Sequence, residues 1–316
     1  MSGYLDKHNL FLEPQTSQYG NHMVMTNVHK KAKTKYINID SKFRDEFYDN
    51  VYANKNADLQ ANQLSQSTFT ITIPEPINEV TSLSVKTVEL PMFFYNISFN
   101  LGNSYFKVTD STGTETVITL TDNNYTIASL NTEITNKLTA ASIVDLTITI
   151  GENAKSTITS GGSKFIVSFD VNSDGINDKS RFRSKFGYLV GFRNLNYTVE
   201  SSSQTSEQLA SLHSSKYLYL AVEDFCRNSQ NSFLTPMSNS FIDKNVLARI
   251  SLNYKDFPFG TILTANESNG RLISDNRNYN GTVDLQKLNV KLLDENGIPV
   301  ILNGMEFSFC LELEHL

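Results

Sequence analysis

The sequence predicts an all-β protein of antiparallel strands, on three observations. Four β-type runs, 216–225, 248–254, 283–293 and 305–313, dominate the C-terminal third. Apolar residues recur in them at every second position, as in Phe307, Phe309, Leu311 and Leu313, or Leu218, Leu220 and Val222. That period puts each set on one face of a half-buried strand. Helical patterning is confined to a single stretch.

Residues 1–50 differ from the rest. Alternation is weak and polar residues are common, with a basic cluster at Lys30, Lys31, Lys33 and Lys35. This reads as an extended N-terminal arm. Lys30, Lys31, Lys33, Lys35 and Tyr36 are its candidate contact residues, and 36–40 already has the look of an ordered strand.

The folded body starts near Ser67. Phe69, Ile71 and Ile73 alternate, and Pro74 and Pro76 end that strand, because proline offers no donor to a ladder. In the next strand, 81–90, the apolar phase runs Leu83, Val85 and then Val88, Leu90. The one-residue slip predicts a β-bulge at Lys86 and Thr87. Strands 105–109 and 116–121 flank a turn at 110–113. Thr126 caps a helix over 127–141, with Ile127, Leu130, Ile134 and Leu138 along one face. Leu146, Ile148 and Ile150 make a strand, as do Phe165, Val167 and Phe169, with a turn at 159–163 between them. Segments 201–215, 228–245 and 264–280 read as loops.

Composition narrows the function. Hydrophobic content of 39% and charged content of 19% suit a packed core. A net charge of −6 argues against a general nucleic-acid binder. Cys226 and Cys310 are too few for a disulfide framework, and Cys310 reads as a small buried hydrophobe. Neither a secretory leader nor a membrane span is expected.

Sites of chemistry are scarce. Asp170, Asn172, Asp174, Gly175 and Asp178 follow the spacing of a calcium loop, oxygen ligands alternating around a sharp turn. Arg181 stands where the bidentate Glu belongs, so the favoured reading is a polar turn. His8, His22, His29, His213 and His315 have no metal-ligand spacing. Glu223 and Asp224 point to opposite faces of a strand end and read as solvated acids. Arg181, Arg183 and Lys185 mix with Phe186 and Tyr188, a pattern that can bind single-stranded nucleic acid but reads here as structural. No catalytic residue, cofactor or enzyme activity is expected.

Several segments, taken in order, resemble the structural proteins of nucleocytoplasmic large DNA viruses. They are 36–45, 69–77, 85–91 with 95–98, 186–193, 217–225, and a turn at 292–297 followed by 307–314. The resemblance implies a minor capsid or penton-type protein. It further implies an antiparallel jelly-roll β-sandwich with no active site. Its partners would be the major capsid protein and other minor capsid proteins, with a homopentamer in the penton case. The location would be the virion capsid, after synthesis in the host cytoplasm. The expectation is thus an arm over 1–50 and one jelly-roll domain over 51–316 carrying one inserted helix. The alternative is a carbohydrate- or receptor-binding β-sandwich that uses loop aromatics such as Phe257 and Phe259.

Overall fold

A computed structural model describes residues 31–45, 66–180, 182–212, 215–226, 229–230, 233–237 and 240–316. Its largest element is a nine-stranded sheet. The strands are β1 (Lys33–Asp40), β2 (Thr68–Pro91), β10 (Tyr217–Glu223), β11 (Ser229–Gln230), β14 (Val246–Ser251), β15 (Ile262–Asn266), β16 (Leu272–Ser274), β17 (Arg277–Leu293) and β18 (Ser308–His315). Along its main path the order is β1-β18-β2-β17-β10-β14-β16, with β15 on β2 and β11 on β17. Every pairing is antiparallel. The all-β antiparallel class holds, and a wound sheet of this kind is consistent with a jelly roll.

The inward faces follow the alternation. Phe307, Phe309, Leu311 and Leu313 are all essentially inaccessible, as are Leu218, Leu220 and Val222. Each such side chain stabilises the fold by about 1.5–3 kcal/mol relative to exposure. Tyr219 and Ala221 on the other face of β10 are buried too, against Val246 and Leu293 and the half-buried Phe233 and Ile242. A small hairpin, β12 (Pro236–Met237) with β13 (Ser240–Phe241), lies in that covering segment. Cys310 points away from the core and is half-buried, so it is not the buried hydrophobe expected.

The bulge falls where the apolar phase slips. Cys310 pairs with Thr87 and Leu311 with Val85, which leaves Lys86 without a partner in β18. Leu83, Val85, Val88 and Leu90 thereby all face the core. The prolines act differently from expectation. β2 continues through Pro74 and Pro76, and the ladder to β17 shifts register between Thr72 and Ile77 instead of ending. Both prolines are exposed, so their missing donors leave no buried acceptor unpaired.

Between β2 and β10 the chain forms a second body of structure with a core of its own. Its strands are β3 (Tyr105–Thr109), β4 (Glu115–Thr119), β5 (Leu146–Ile150), β6 (Ser156–Ser160), β7 (Phe165–Ser168), β8 (Asn196–Val199) and β9 (Ser203–Thr205). They make a sheet β4-β3-β7-β8 and a sheet β5-β6-β9. Helix α1 (Ile127–Ala140) starts at Thr126, which forms a capping box with Ser129, and buries Leu130, Ile134 and Leu138. Such a cap is worth about 1 kcal/mol. Asn131 bonds both backbone groups of Ile150 and so ties α1 to β5. A one-turn helix, α2 (Phe186–Leu189), inserts Phe186 between Phe106 and Phe169. Gly187 permits this, since a Cβ there would lie 2.3 Å from the Phe169 ring. β6 and β9 fall in segments expected as turn and loop, and β15, β16 and the start of β17 fall in the expected 264–280 loop.

Candidate interaction surfaces

The described part of the N-terminal region is built into the body. β1 pairs with β18 from Lys33 opposite His315 to Asp40 opposite Ser308. Ile39 enters the core, and Arg44, itself buried, reaches Glu306 at 2.9 Å. Among the described strands β1 has a neighbour on one side only. Lys31, Lys33, Lys35 and Tyr36 are exposed there, and Lys30 lies outside the described residues. Lysines on an open edge discourage unselective strand pairing. Tyr36 stands opposite Glu312. The hydrogen bond and charge of that carboxylate hold its hydroxyl pKa above the usual value. Lys86, the bulge residue, pairs with the same carboxylate at 2.9 Å.

The 170–178 loop is a tight turn in which Asn172 and Asp178 spend side-chain oxygens on groups of their own chain. Asn172 Oδ1 accepts from the backbone N–H groups of Asp174 and Ile176. Gly175 sits at φ +76°, and a Cβ there would lie 2.6 Å from Val117. Asp178 accepts from Ser180 N–H and from the Lys185 ammonium. Those two partners, Lys185 first, hold the Asp178 carboxyl far below the usual carboxylate range. Asp170 is buried and its Oδ1 has no hydrogen-bond partner. Arg181 lies outside the described residues. Among the described residues no three His, Cys, Asp or Glu side chains converge as metal ligands.

Asp224 is not the solvated acid expected. It is buried, accepts from Arg277 at 3.0 Å and from the Tyr279 hydroxyl at 2.6 Å. Arg277, 1% exposed, also donates to the carbonyls of Val222 and Asn245. Burial and the adjacent carboxylate push the Tyr279 hydroxyl pKa well up. The sequence hides this cluster because Asp224 and Arg277 are 53 residues apart.

The loop aromatics form a surface group. Phe259, 43% exposed, stacks on Tyr95 at 6.1 Å and tilts against Phe93 at 5.5 Å. Phe257 is half-buried on the core under the Arg271 guanidinium. Tyr95 also lines a cleft of ≈ 470 Å³ where the second body of structure meets the large sheet. Sequence reading found Phe259, whose exposed setting follows from its Pro-Phe-Gly turn. It missed Tyr95 as a surface partner, since that residue sits in an apolar run.

No family model matches this sequence. No curated protein matches it either. Among solved structures it is similar to the crystal structure of selenomethionine-labelled mavirus penton protein. The two share 12% identity at a TM-score of 0.42, over 91% of this chain and 100% of the other. No helix among the described residues is long and apolar enough to cross a membrane.

Proposed function

We propose that this chain is a structural subunit of a viral capsid, of the penton or minor-capsid type. In this reading it binds neighbouring capsid proteins, a major capsid protein and other minor subunits among them, and associates with copies of itself. A penton role makes it a pentamer in the virion shell, assembled after synthesis in the host cytoplasm. The ordered sequence resemblance supports the reading. The observation that carries it is the position of β1: the chain enters the large sheet at an edge strand, beside the exposed Lys31, Lys33, Lys35 and Tyr36. In this reading the residues ahead of Lys33 contact a neighbour, and their removal takes away no described core residue.

The test is native mass determination of the full chain and of a variant lacking residues 1–32. The full chain should form a closed oligomer. The truncated chain should keep its melting temperature and lose or weaken assembly. A full chain that stays monomeric at high concentration, and that fails to join particles of capsid proteins, refutes the proposal.

One observation favours a second reading, a carbohydrate- or receptor-binding module. Phe93, Tyr95 and Phe259 form an aromatic group beside a cleft, and aromatic faces suit sugar rings. Glycan-array binding by the full chain, abolished in Phe259→Ala, would decide for it.

A further inference from the structure

Next to the cleft runs a larger groove of ≈ 940 Å³. Arg183 and Arg193 come from the segment between β2 and β10; Lys216, Lys255 and Arg271 come from the large-sheet side. Glu295 is the one carboxylate on the lining. Five cations therefore face one acid in a chain whose net charge is −6. This concentration of positive charge runs against the overall balance of the protein.

Three of the five have no ion-pair partner among the described residues. Arg183, Lys216 and Lys255 are exposed, and their side chains make no hydrogen bond or ion pair among the described residues. Arg271 shares its charge with Asp256 at 3.2 Å, and Arg193 lies over Tyr188 while donating to two backbone carbonyls. Unpaired cations gathered in a concavity focus the field on an anionic ligand.

The rest of the lining selects among anions. Leu189 and Leu252 are half-buried, and Leu209 is 58% exposed. The aromatics present no platform for bases: the Tyr188 ring is covered by the Arg193 guanidinium at 3.7 Å, and Tyr254 packs on the core with its hydroxyl bound to the Ser215 carbonyl. Binding of single-stranded nucleic acid relies on such platforms. Separated cations with leucines between them fit carboxylates spaced by apolar side chains.

We propose that this groove docks an acidic peptide segment of a partner protein. Its carboxylates meet Arg183, Lys216 and Lys255, and an apolar side chain lies on Leu189, Leu209 and Leu252. The proposal stands on the groove alone and does not require the capsid reading.

Fluorescence anisotropy on the full chain tests it. The probes are a short labelled peptide of Glu and Leu, the same peptide with Gln for Glu, and a short oligothymidylate. The acidic peptide should bind, more weakly as salt rises, and the Gln peptide should not. The triple variant Arg183→Ala, Lys216→Ala, Lys255→Ala should lose about tenfold in affinity with an unchanged melting temperature. Arg183→Lys should retain binding, which separates loss of charge from loss of fold. Lys164→Ala, Lys179→Ala, Lys287→Ala removes the same charge from exposed positions outside the groove and should leave peptide affinity unchanged. Failure of the acidic peptide to bind, equal binding of the Gln peptide, equal loss in this control variant, or tighter binding of oligothymidylate each overturns the proposal.

Discussion

The ammonium of Lys185 lies 2.8 Å from Oδ2 of Asp178 and 2.8 Å from the carbonyl oxygen of Val171. A loop whose spacing suggests a bound cation thus already holds one, supplied by its own chain. The Lys185 side chain is 6% exposed and that of Asp178 is 36% exposed, so the charge is buried on one side only. Calorimetric titration should show no calcium binding at micromolar levels. Tight binding, lost in Asp174→Ala, would refute the turn reading.

The same pair sets a pH dependence. Lys185 and Ser180 hold the Asp178 carboxyl below its ordinary value, so the folded state binds a proton there less readily than the unfolded state. The stabilisation is present above the unfolded carboxylate value of about 3.9 and fades as pH falls below it. Melting temperatures of the wild type and Asp178→Asn should differ at neutral pH, and the gap should narrow progressively as pH falls below about 3.9, with part of it still open at pH ~3. A gap that stays constant or widens in acid would show that Asp178 acts through packing rather than charge.

Lys86 is the residue that β18 skips. Its deletion leaves Leu83, Val85, Val88 and Leu90 in unbroken alternation. That variant should fold, with a modest loss from the missing Lys86–Glu312 pair, worth about 0–1 kcal/mol. Deletion of Ser84 instead turns Leu83 away from the core, and losses of about 2–5 kcal/mol are usual when such a side chain leaves its site. Urea unfolding of the two deletions should rank them in that order. The reverse order would mean that the bulge itself, and not the phase of the strand, is what the fold requires.

Asp224 and Arg277 stabilise the interior only as a pair. Asp224→Ala leaves a guanidinium buried without its counter-ion, a change that typically costs about 3–5 kcal/mol. The double variant Asp224→Leu, Arg277→Met should recover part of that loss, because neither charge then remains to be solvated. Denaturant midpoints with an unchanged slope would measure both effects.

The segment between β2 and β10 carries its own apolar cluster, from Ile97 to Val199. We expect residues 96–212, expressed alone, to unfold cooperatively and to resist proteolysis. Leu130→Ala in the full chain should then lower an early transition and leave a later one in place. A single transition that moves as a whole would favour the reading of one domain over 51–316.

Legibility of the sequence followed the range of the interaction that decides each feature. The Thr126 cap, the face of α1, the turn at 110–113 and the Lys86 bulge are settled by residues within a few positions of one another, and local pattern revealed them. β6 was missed because its Ser and Thr residues resemble turn residues, while its burial depends on β5 and β9 at its sides. The basic groove was half visible: Arg183 lies in a run that stands out, but Lys216, Lys255 and Arg271 join it only through the fold. Asp224 looked solvated because its partner is supplied by a distant strand.

The sheet order also sets a timetable. Ser41 bonds Glu306 across 265 residues, and β2 pairs along much of its length with β17 and β18. None of those ladders exists until the ribosome has passed position 277, whereas the contacts of the second core are complete by about 212. Long-range pairing of this kind is slow, and the open flank of β2 is exposed to other chains while it waits. During synthesis the nascent chain therefore has every residue of the second core in hand while the large sheet still lacks β17 and β18, and that interval is when β2 is open to mispairing.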